Sequence, residues 1–158
     1  MRSPACNLLA LAGFVALCYG IAAAGSAATA ISLDTWYPAL QKPAFTSPDW
    51  IFGPVWTLLY ALIAVAGWRL WRLRGFADRA AWRAYALQLL LNLAWSVLFF
   101  ALQRPALALA DSALLWLAIA ANTLLFGRVD RCAGALLLPY LAWVGYAAAL
   151  NAAIVALN

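Results

Sequence analysis

The chain has 158 residues, 68% hydrophobic and 9% charged, with ten Lys and Arg against five acids and no His. That apolar share is far above the roughly 45–50% of a soluble domain, so a water-soluble fold is excluded, and without His there is no Ser-His-Asp triad, His-ligated haem or common zinc site. The net charge of +5 does not indicate nucleic acid, because the basic residues gather at the ends of apolar stretches rather than over a solvated face.

Five stretches have the length and apolarity to cross a hydrocarbon core of about 30 Å. They run Ser3 to Leu33, Ile51 to Trp68, Ala84 to Gln103, Pro105 to Gly127 interrupted by Asp111, and Cys132 to Asn158. A backbone in lipid must satisfy its own hydrogen bonds, and these stretches lack the short alternating segments of membrane barrels. The expectation is therefore one domain over residues 1–158, an all-α membrane protein. It is a five-transmembrane-helix bundle, with helices near 5–28, 51–71, 81–102, 106–126 and 133–156.

In the first span, Arg2, the apolar run from Leu8 to Tyr19 and the small residues after it also fit a cleaved signal peptide. Against cleavage, Ala12, Ala16, Gly20, Ala24 and Ala28 recur every fourth residue, a small-residue stripe that lets another helix approach closely. The segment is taken as helix 1. The loop that follows, about Ile31 to Trp50, is rich in aromatics and punctuated by Pro38, Pro43 and Pro48, which discourage a regular helix. Its aromatics either anchor at the interface or fold back as a lid over something between the helices, and the lid is preferred. Trp36, Pro43, Phe45 and Trp50 are its expected residues.

Arg69, Arg72, Arg74, Arg79 and Arg83 surround the second connection, and Arg128 and Arg131 the fourth. With Arg2 they make eight basic residues on the N-terminal side, against Lys42 and Arg104 on the other. The positive-inside rule then puts the N-terminus in the cytoplasm, with Trp68, Trp71 and Trp82 as an interfacial belt. Cys6, Cys18 and Cys132 form no CxxC pattern and are read as small apolar fillers; neither a disulfide framework nor a metal site is indicated.

Helical spacing gathers the polar and aromatic residues of four spans onto inward faces. The third span aligns Gln88, Asn92, Trp95 and Phe99, and the second stacks Trp56 on Tyr60. The fifth repeats Pro139, Trp143, Ala147 and Asn151, while the fourth aligns Asp111 with Asn122. Gln88 and Asn122 are read as interhelical glue. Asp111 is read as a structural acid near its helix start, and Asn92 with Trp95, and Asn151 beyond Trp143, as pocket wall. Such faces suit a flat, largely apolar aromatic ligand, a tetrapyrrole or a sterol, whose polar edge is oriented by amides and hydroxyls.

The segments WYPALQKPAFTSPDW into PVWTLLY, LQLLLNLAWSVLFF, ALADSALLWL and LLLPYLAWVGYAAALN lie over roughly residues 33–151. In that order they resemble the TspO/MBR family, the translocator or tryptophan-rich sensory proteins related to the peripheral-type benzodiazepine receptor. The resemblance implies a five-helix bundle, often a homodimer, with a pocket beneath the first loop for porphyrin or haem and other flat aromatic ligands. No cofactor is required, and membrane lipid surrounds the chain. By position Tyr37, Trp56, Tyr60, Asn92, Trp95, Trp143 and Ala147 match the pocket, and spacing adds Asn151.

The implied function is tetrapyrrole binding for sensing, regulation or transport. One alternative is light-dependent porphyrin breakdown, with Trp56 and Trp143 as the implicated tryptophans; another is a structural or partner-binding membrane subunit. Phe45 stands where many members have Trp, and Ser47-Pro48 replaces a Pro-Pro pair, so lid contacts differ. The final segment, LNAAIVALN, lacks the Tyr and base of the cholesterol-recognition pattern of animal members. A bacterial-type member in the cell membrane, rather than an outer membrane, is the resulting expectation.

Overall fold

The computed structural model describes residues 3–158; Arg2, one of the eight basic residues on the N-terminal side, lies outside them. Five apolar helical segments, each long enough to cross a membrane, make up the bundle. They are α1 (Pro4–Ala30), α2 (Asp49–Arg74), α3 (Arg79–Ser96) with a π-helical extension Val97–Ala101, α4 (Pro105–Val129), and the pair α5 (Arg131–Ala135) and α6 (Leu138–Leu157). No strand occurs among the described residues.

Most helices begin one to two residues earlier than hydropathy alone indicates, because polar side chains cap them from outside the apolar run. Ser3 accepts a hydrogen bond from Cys6 N, Asp78 from Ala81 N and Asp130 from Cys132 N. Pro105 opens α4, where its missing N–H costs nothing. At the other end, α2 runs through Arg74, so its arginines ride on a final turn reaching the interface.

Two breaks in helical regularity decide which side chains reach the inside of the bundle. At the end of α3, Leu102 N donates to Val97 O at 2.8 Å, an i to i+5 bond, and Arg104 N reaches Leu98 O at 2.8 Å. Gln103, at φ 52°, makes that reversal into α4 possible. The expected fifth helix is interrupted at Leu136 and Leu137 just before Pro139, which has no N–H to donate to the preceding turn. Within α6 Pro139 is exposed, and Tyr140, fully buried, stands on the inner face.

Helix α1 corrects the small-stripe expectation. Ala12, Ala16, Gly20 and Ala24 face outward, and of that stripe only Ala28 is buried. The helix packs through Phe14, Cys18, Gly25 and Ala28 instead, with Cys18 Sγ 3.4 Å from Tyr85 Oη. Cys18 is thus a core filler, while Cys6 and Cys132 are exposed. The backbones of α4 and α5 approach closely, so that a Cβ on Gly134 would lie 2.7 Å from Gly127 Cα and 2.9 Å from Thr123 O. Only glycine fits there.

Arg69 Nε lies 2.6 Å from Asp130 Oδ2, tying α2 to the start of α5 at the arginine end. The Arg69 guanidinium holds the Asp130 carboxyl below the usual carboxylate range. Trp82, expected in the belt, is more deeply used: its Nε1 donates to Gly75 O at 2.9 Å and its ring stacks on Phe14, centroids 5.7 Å apart. Trp68 stays at the edge, donating to Asn7 O with Arg72 over its ring.

Candidate functional site

A cavity of about 620 Å³ opens in the half of the bundle under the first loop, within the 300–1,000 Å³ range of small-molecule sites. All eight residues expected around a pocket line it: Tyr37, Trp56, Tyr60, Asn92, Trp95, Trp143, Ala147 and Asn151. They come from the loop and from α2, α3 and α6, so helical spacing oriented those three faces correctly.

The fourth expected wall is not there. No residue of α4 lines the cavity; α1 does, through Tyr19, Ala22, Ser26 and Thr29 among others. Asp111, Ser112 and Asn122 are buried in helix packing behind the cavity, where Asn122 Nδ2 donates to Ala81 O at 3.3 Å as the expected glue. Gln88, also expected as glue, is fully buried, but neither of its amide atoms has a partner. Helix α1 escaped notice because its wall, Tyr19 apart, consists of alanine, glycine, serine and threonine, residues that contribute by their small size rather than by stacking.

At the base, Tyr60 Oη donates to Asn92 Oδ1 at 2.7 Å and Asn92 Nδ2 donates to Tyr140 Oη at 2.8 Å. This chain joins α2, α3 and α6, and both Tyr60 and Asn92 are only 5% exposed. Tyr140 was not anticipated; its signal was its position one turn before Trp143. The Trp56 ring lies 5.8 Å from that of Tyr60 and 6.2 Å from that of Tyr140. Asn151 borders the cavity, but its amide is committed elsewhere: Nδ2 donates to Pro105 O and Oδ1 accepts from Leu109 N, each at 3.0 Å. It fastens α6 to the first turn of α4 and leaves little for a ligand.

On the α3 side, Trp95 stacks on Phe99 with centroids 5.1 Å apart and planes 17° apart. The π-helical turn adds Phe100 to the same wall, which a regular helix would carry round by about 100°. Tyr37 closes this wall from above, its ring 5.6 Å from Phe100 and 6.4 Å from Phe99. Lys42 Nζ sits over the Tyr37 ring, 3.9 Å from its centroid. Burial, then the negative charge of Asp49, raises the Tyr37 phenol above its ordinary pKa. On the α6 side, Trp143 meets Phe52 edge-on at 5.6 Å and Tyr146 at 5.2 Å. Its Nε1 is buried without a partner.

The loop is strapped across the bundle. Ser32 Oγ donates to Phe100 O at 2.8 Å, and Ser47 N donates to Tyr146 Oη at 2.9 Å. Gln41 exchanges two hydrogen bonds of 3.0 Å with the Asn158 side chain. The four residues expected in the lid do not themselves line the cavity. Trp36 meets Phe99 edge-on at 5.6 Å, Pro43 accepts from Thr46 Oγ1 in a turn, and Phe45 and Trp50 are 53% and 74% exposed. Tyr37 takes the inner side from the loop, while at the start of α2 helical phase turns Asp49 and Phe52 inward and Trp50 outward.

The lining on the α1 and α2 side includes exposed small residues, Ala23, Ser26 and Gly53, so the cavity is open laterally between these helices. Below that opening Tyr19 Oη donates to Thr57 O at 2.9 Å and closes the seam. The site is therefore a mainly aromatic chamber with a polar base, a strapped roof and a side facing the bilayer.

Residues 14–157 match the TspO/MBR family. The chain is 42% identical over 152 residues to the tryptophan-rich protein TspO of Archaeoglobus fulgidus, spanning 96% of this chain and 99% of that one. It is 40% identical over 141 residues to the tryptophan-rich sensory protein of Cereibacter sphaeroides, 87% of this chain and 88% of the relative. Against the translocator protein of Homo sapiens the identity is 40% over 119 residues, 73% and 70% of the two chains. With five membrane-length apolar helices and a family match over nearly its whole length, the chain is an integral multi-pass membrane protein that belongs to the TspO/MBR family.

Proposed function

We propose that the protein binds a flat, largely apolar aromatic ligand of the tetrapyrrole class, porphyrin or haem, and acts through that binding as a sensor, regulator or transporter. The observation that carries this reading is the convergence of Tyr37, Trp56, Tyr60, Asn92, Trp95 and Trp143 on one chamber of about 620 Å³. Indole and phenol rings offer stacking faces, while the amide and hydroxyls at the base can orient a polar edge. The lateral opening suits a ligand that partitions into lipid. Relatives named tryptophan-rich sensory protein and translocator protein are in keeping with sensing or transport.

Titrating protoporphyrin IX into the purified protein is expected to quench tryptophan fluorescence saturably, with weaker binding after Trp56→Phe or Trp143→Phe. Quenching that is linear in porphyrin, and the same in both variants, sinks the proposal.

A second reading, photo-oxidative porphyrin breakdown with Trp56 and Trp143 as electron donors, is supported by the contiguity of Trp56 with the Tyr60 and Tyr140 rings. Illumination with porphyrin and air is then expected to give one defined product at sub-stoichiometric protein; bleaching no faster than with an unrelated membrane protein counts against it. For topology, the arginine excess at the α2–α3 and α4–α5 ends supports a cytoplasmic N-terminus in the bacterial cell membrane. Reporter fusions at the two connections test it.

A further inference from the structure

Gln88 is a fully buried polar side chain that the proposed chemistry of the chamber does not use, and neither its Nε2 nor its Oε1 has a hydrogen-bond partner. Such an amide is costly to keep in the interior, so its presence calls for a role that a leucine or methionine would not fill.

The helix face that carries Gln88 shows what lies within its reach. Ala81, Tyr85, Gln88 and Asn92 follow i, i+4, i+7 and i+11 on α3, and all four are buried. Lower on this stripe, Tyr85 donates to Ile63 O of α2 and stacks on Phe126 of α4, centroids 5.7 Å apart. At its upper end, Asn92 joins Tyr60 of α2 to Tyr140 of α6 at the base of the chamber. Gln88 stands one turn below Asn92, and side chains four residues apart on a helix are neighbours, with about 5–6 Å between their Cβ atoms.

The donors and acceptors at the base do not balance without it. Tyr60 Oη gives its proton to Asn92 Oδ1, and Asn92 Nδ2 gives one to Tyr140 Oη. Tyr140, fully buried, then donates its own proton to no acceptor among the described residues. Gln88 Oε1 is an acceptor with no donor, and Asn92 is the neighbour of both. Asn122 Oδ1 is also unpaired, but its amide is held to Ala81, two turns lower on the stripe. Asp111 Oδ2, the remaining unpaired acceptor of α4, is the competitor.

We propose that Gln88 is a reserve partner for Tyr140: when a ligand in the chamber draws the Asn92 amide toward its own polar edge, the Tyr140 hydroxyl turns from accepting from Asn92 to donating to Gln88 Oε1. Gln88 is thus a positioning residue that acts through Asn92, and the proposal rests on the reading of the chamber as a ligand site. Without Gln88, drawing Asn92 away leaves a fully buried phenol with no partner, and binding weakens accordingly. Two arrangements of one set of hydrogen bonds also carry the occupancy of the chamber to a level below its floor, which a sensor needs and a passive pocket does not.

The test titrates protoporphyrin IX into the full chain in detergent, reading tryptophan quenching, and measures melting temperatures without porphyrin. Gln88→Met keeps a long, unbranched side chain and removes the amide. It is expected to melt at or above the wild-type temperature, because no hydrogen bond is lost, and to bind porphyrin about threefold to tenfold more weakly, the effect of one missing hydrogen bond. In a Tyr140→Phe background, which has no hydroxyl to pass on, Q88M is expected to change the affinity no further. An affinity unchanged by Q88M overturns the proposal, and if D111N lowers it instead, the Tyr140 proton goes to Asp111. A loss that is equally large in the Y140F background overturns it, as does a Q88M protein that melts several degrees below wild type, since Gln88 would then be ordinary interhelical glue. Absence of saturable binding by the wild-type protein overturns the reading of the chamber and this proposal with it, whereas the other adverse results overturn this proposal alone.

Discussion

Replacing Asn92 with Leu tests whether the polar base of the chamber holds the bundle together. The substitution keeps the number and branching of side-chain heavy atoms and removes both hydrogen bonds of the Tyr60–Asn92–Tyr140 chain, at 2.7 and 2.8 Å. It also strands the phenol hydroxyl of Tyr140, at 0% exposure, and takes from Tyr60, which borders the chamber, its protein acceptor. Interhelical hydrogen bonds in membranes average about 0.6 kcal/mol each and reach about 1.7, while leaving a buried polar group unpaired costs about 1–3 kcal/mol. A loss of about 1–4 kcal/mol follows, measured by equilibrium unfolding in mixed micelles of rising denaturing-detergent content. Pairing the change with Tyr140→Phe closes a double-mutant cycle, and a coupling of at least about 0.5 kcal/mol is expected because the two side chains share one bond. An N92L protein within about 0.3 kcal/mol of wild type, with additive double-mutant energies, refutes the claim that this chain couples three helices.

Three further outcomes are expected from the packing and the charges. Gly134→Ala drives a Cβ to 2.7 Å from the Gly127 backbone, which no side-chain rotation relieves, so a loss of about 1–3 kcal/mol is expected, while Gly13→Ala, with open space around it, should be neutral or slightly stabilising; melting temperatures in detergent compare them. Asp130→Asn keeps an oxygen to accept from Cys132 N but removes the charge facing Arg69. Because the folded carboxyl titrates below its unfolded value, its contribution is full above about pH 4 and lost as pH falls through the folded pKa, so wild type and variant should differ in melting temperature at pH 6 and converge in strong acid. Tyr146→Phe removes the acceptor of Ser47 N and the donor to Phe45 O, and hydrogen exchange at Ser47 should speed up while that of α3 is unchanged.

The chamber shows which kinds of information a sequence carries. Trp56, Tyr60, Asn92, Trp95 and Trp143 were legible because large aromatic and amide side chains recur at helical spacing in segments that otherwise contain little but Leu, Ala and Val. The α1 wall was not, since its contribution is an absence of bulk. Ala22, Gly25, Ser26 and Thr29 make space, and the same small residues elsewhere on α1 simply face outward. On α4 polarity signalled only an inward turn: Asp111 and Asn122 face helix packing, as a structural acid and interhelical glue would, and not the chamber, because any inward face relieves a polar group of lipid. In the loop, aromatic content signalled involvement, but which rings turn in depends on the Ser32 and Ser47 tethers and, for Trp50, on helical phase at the start of α2.

By itself, the sequence determined the number of spans, their limits to within a few residues and three of the chamber's faces, since these depend on local properties: hydropathy, capping and the 3.6-residue period. Tertiary structure decided which helix completes the chamber, that Tyr140 rather than Pro139 meets Asn92, and that Asn151 is committed to α4. It also decided that Phe100 joins Phe99 on one wall. Each of these turns on a rotation about a helix axis or a break in its hydrogen bonding, and such rotations are settled by what lies across the interface.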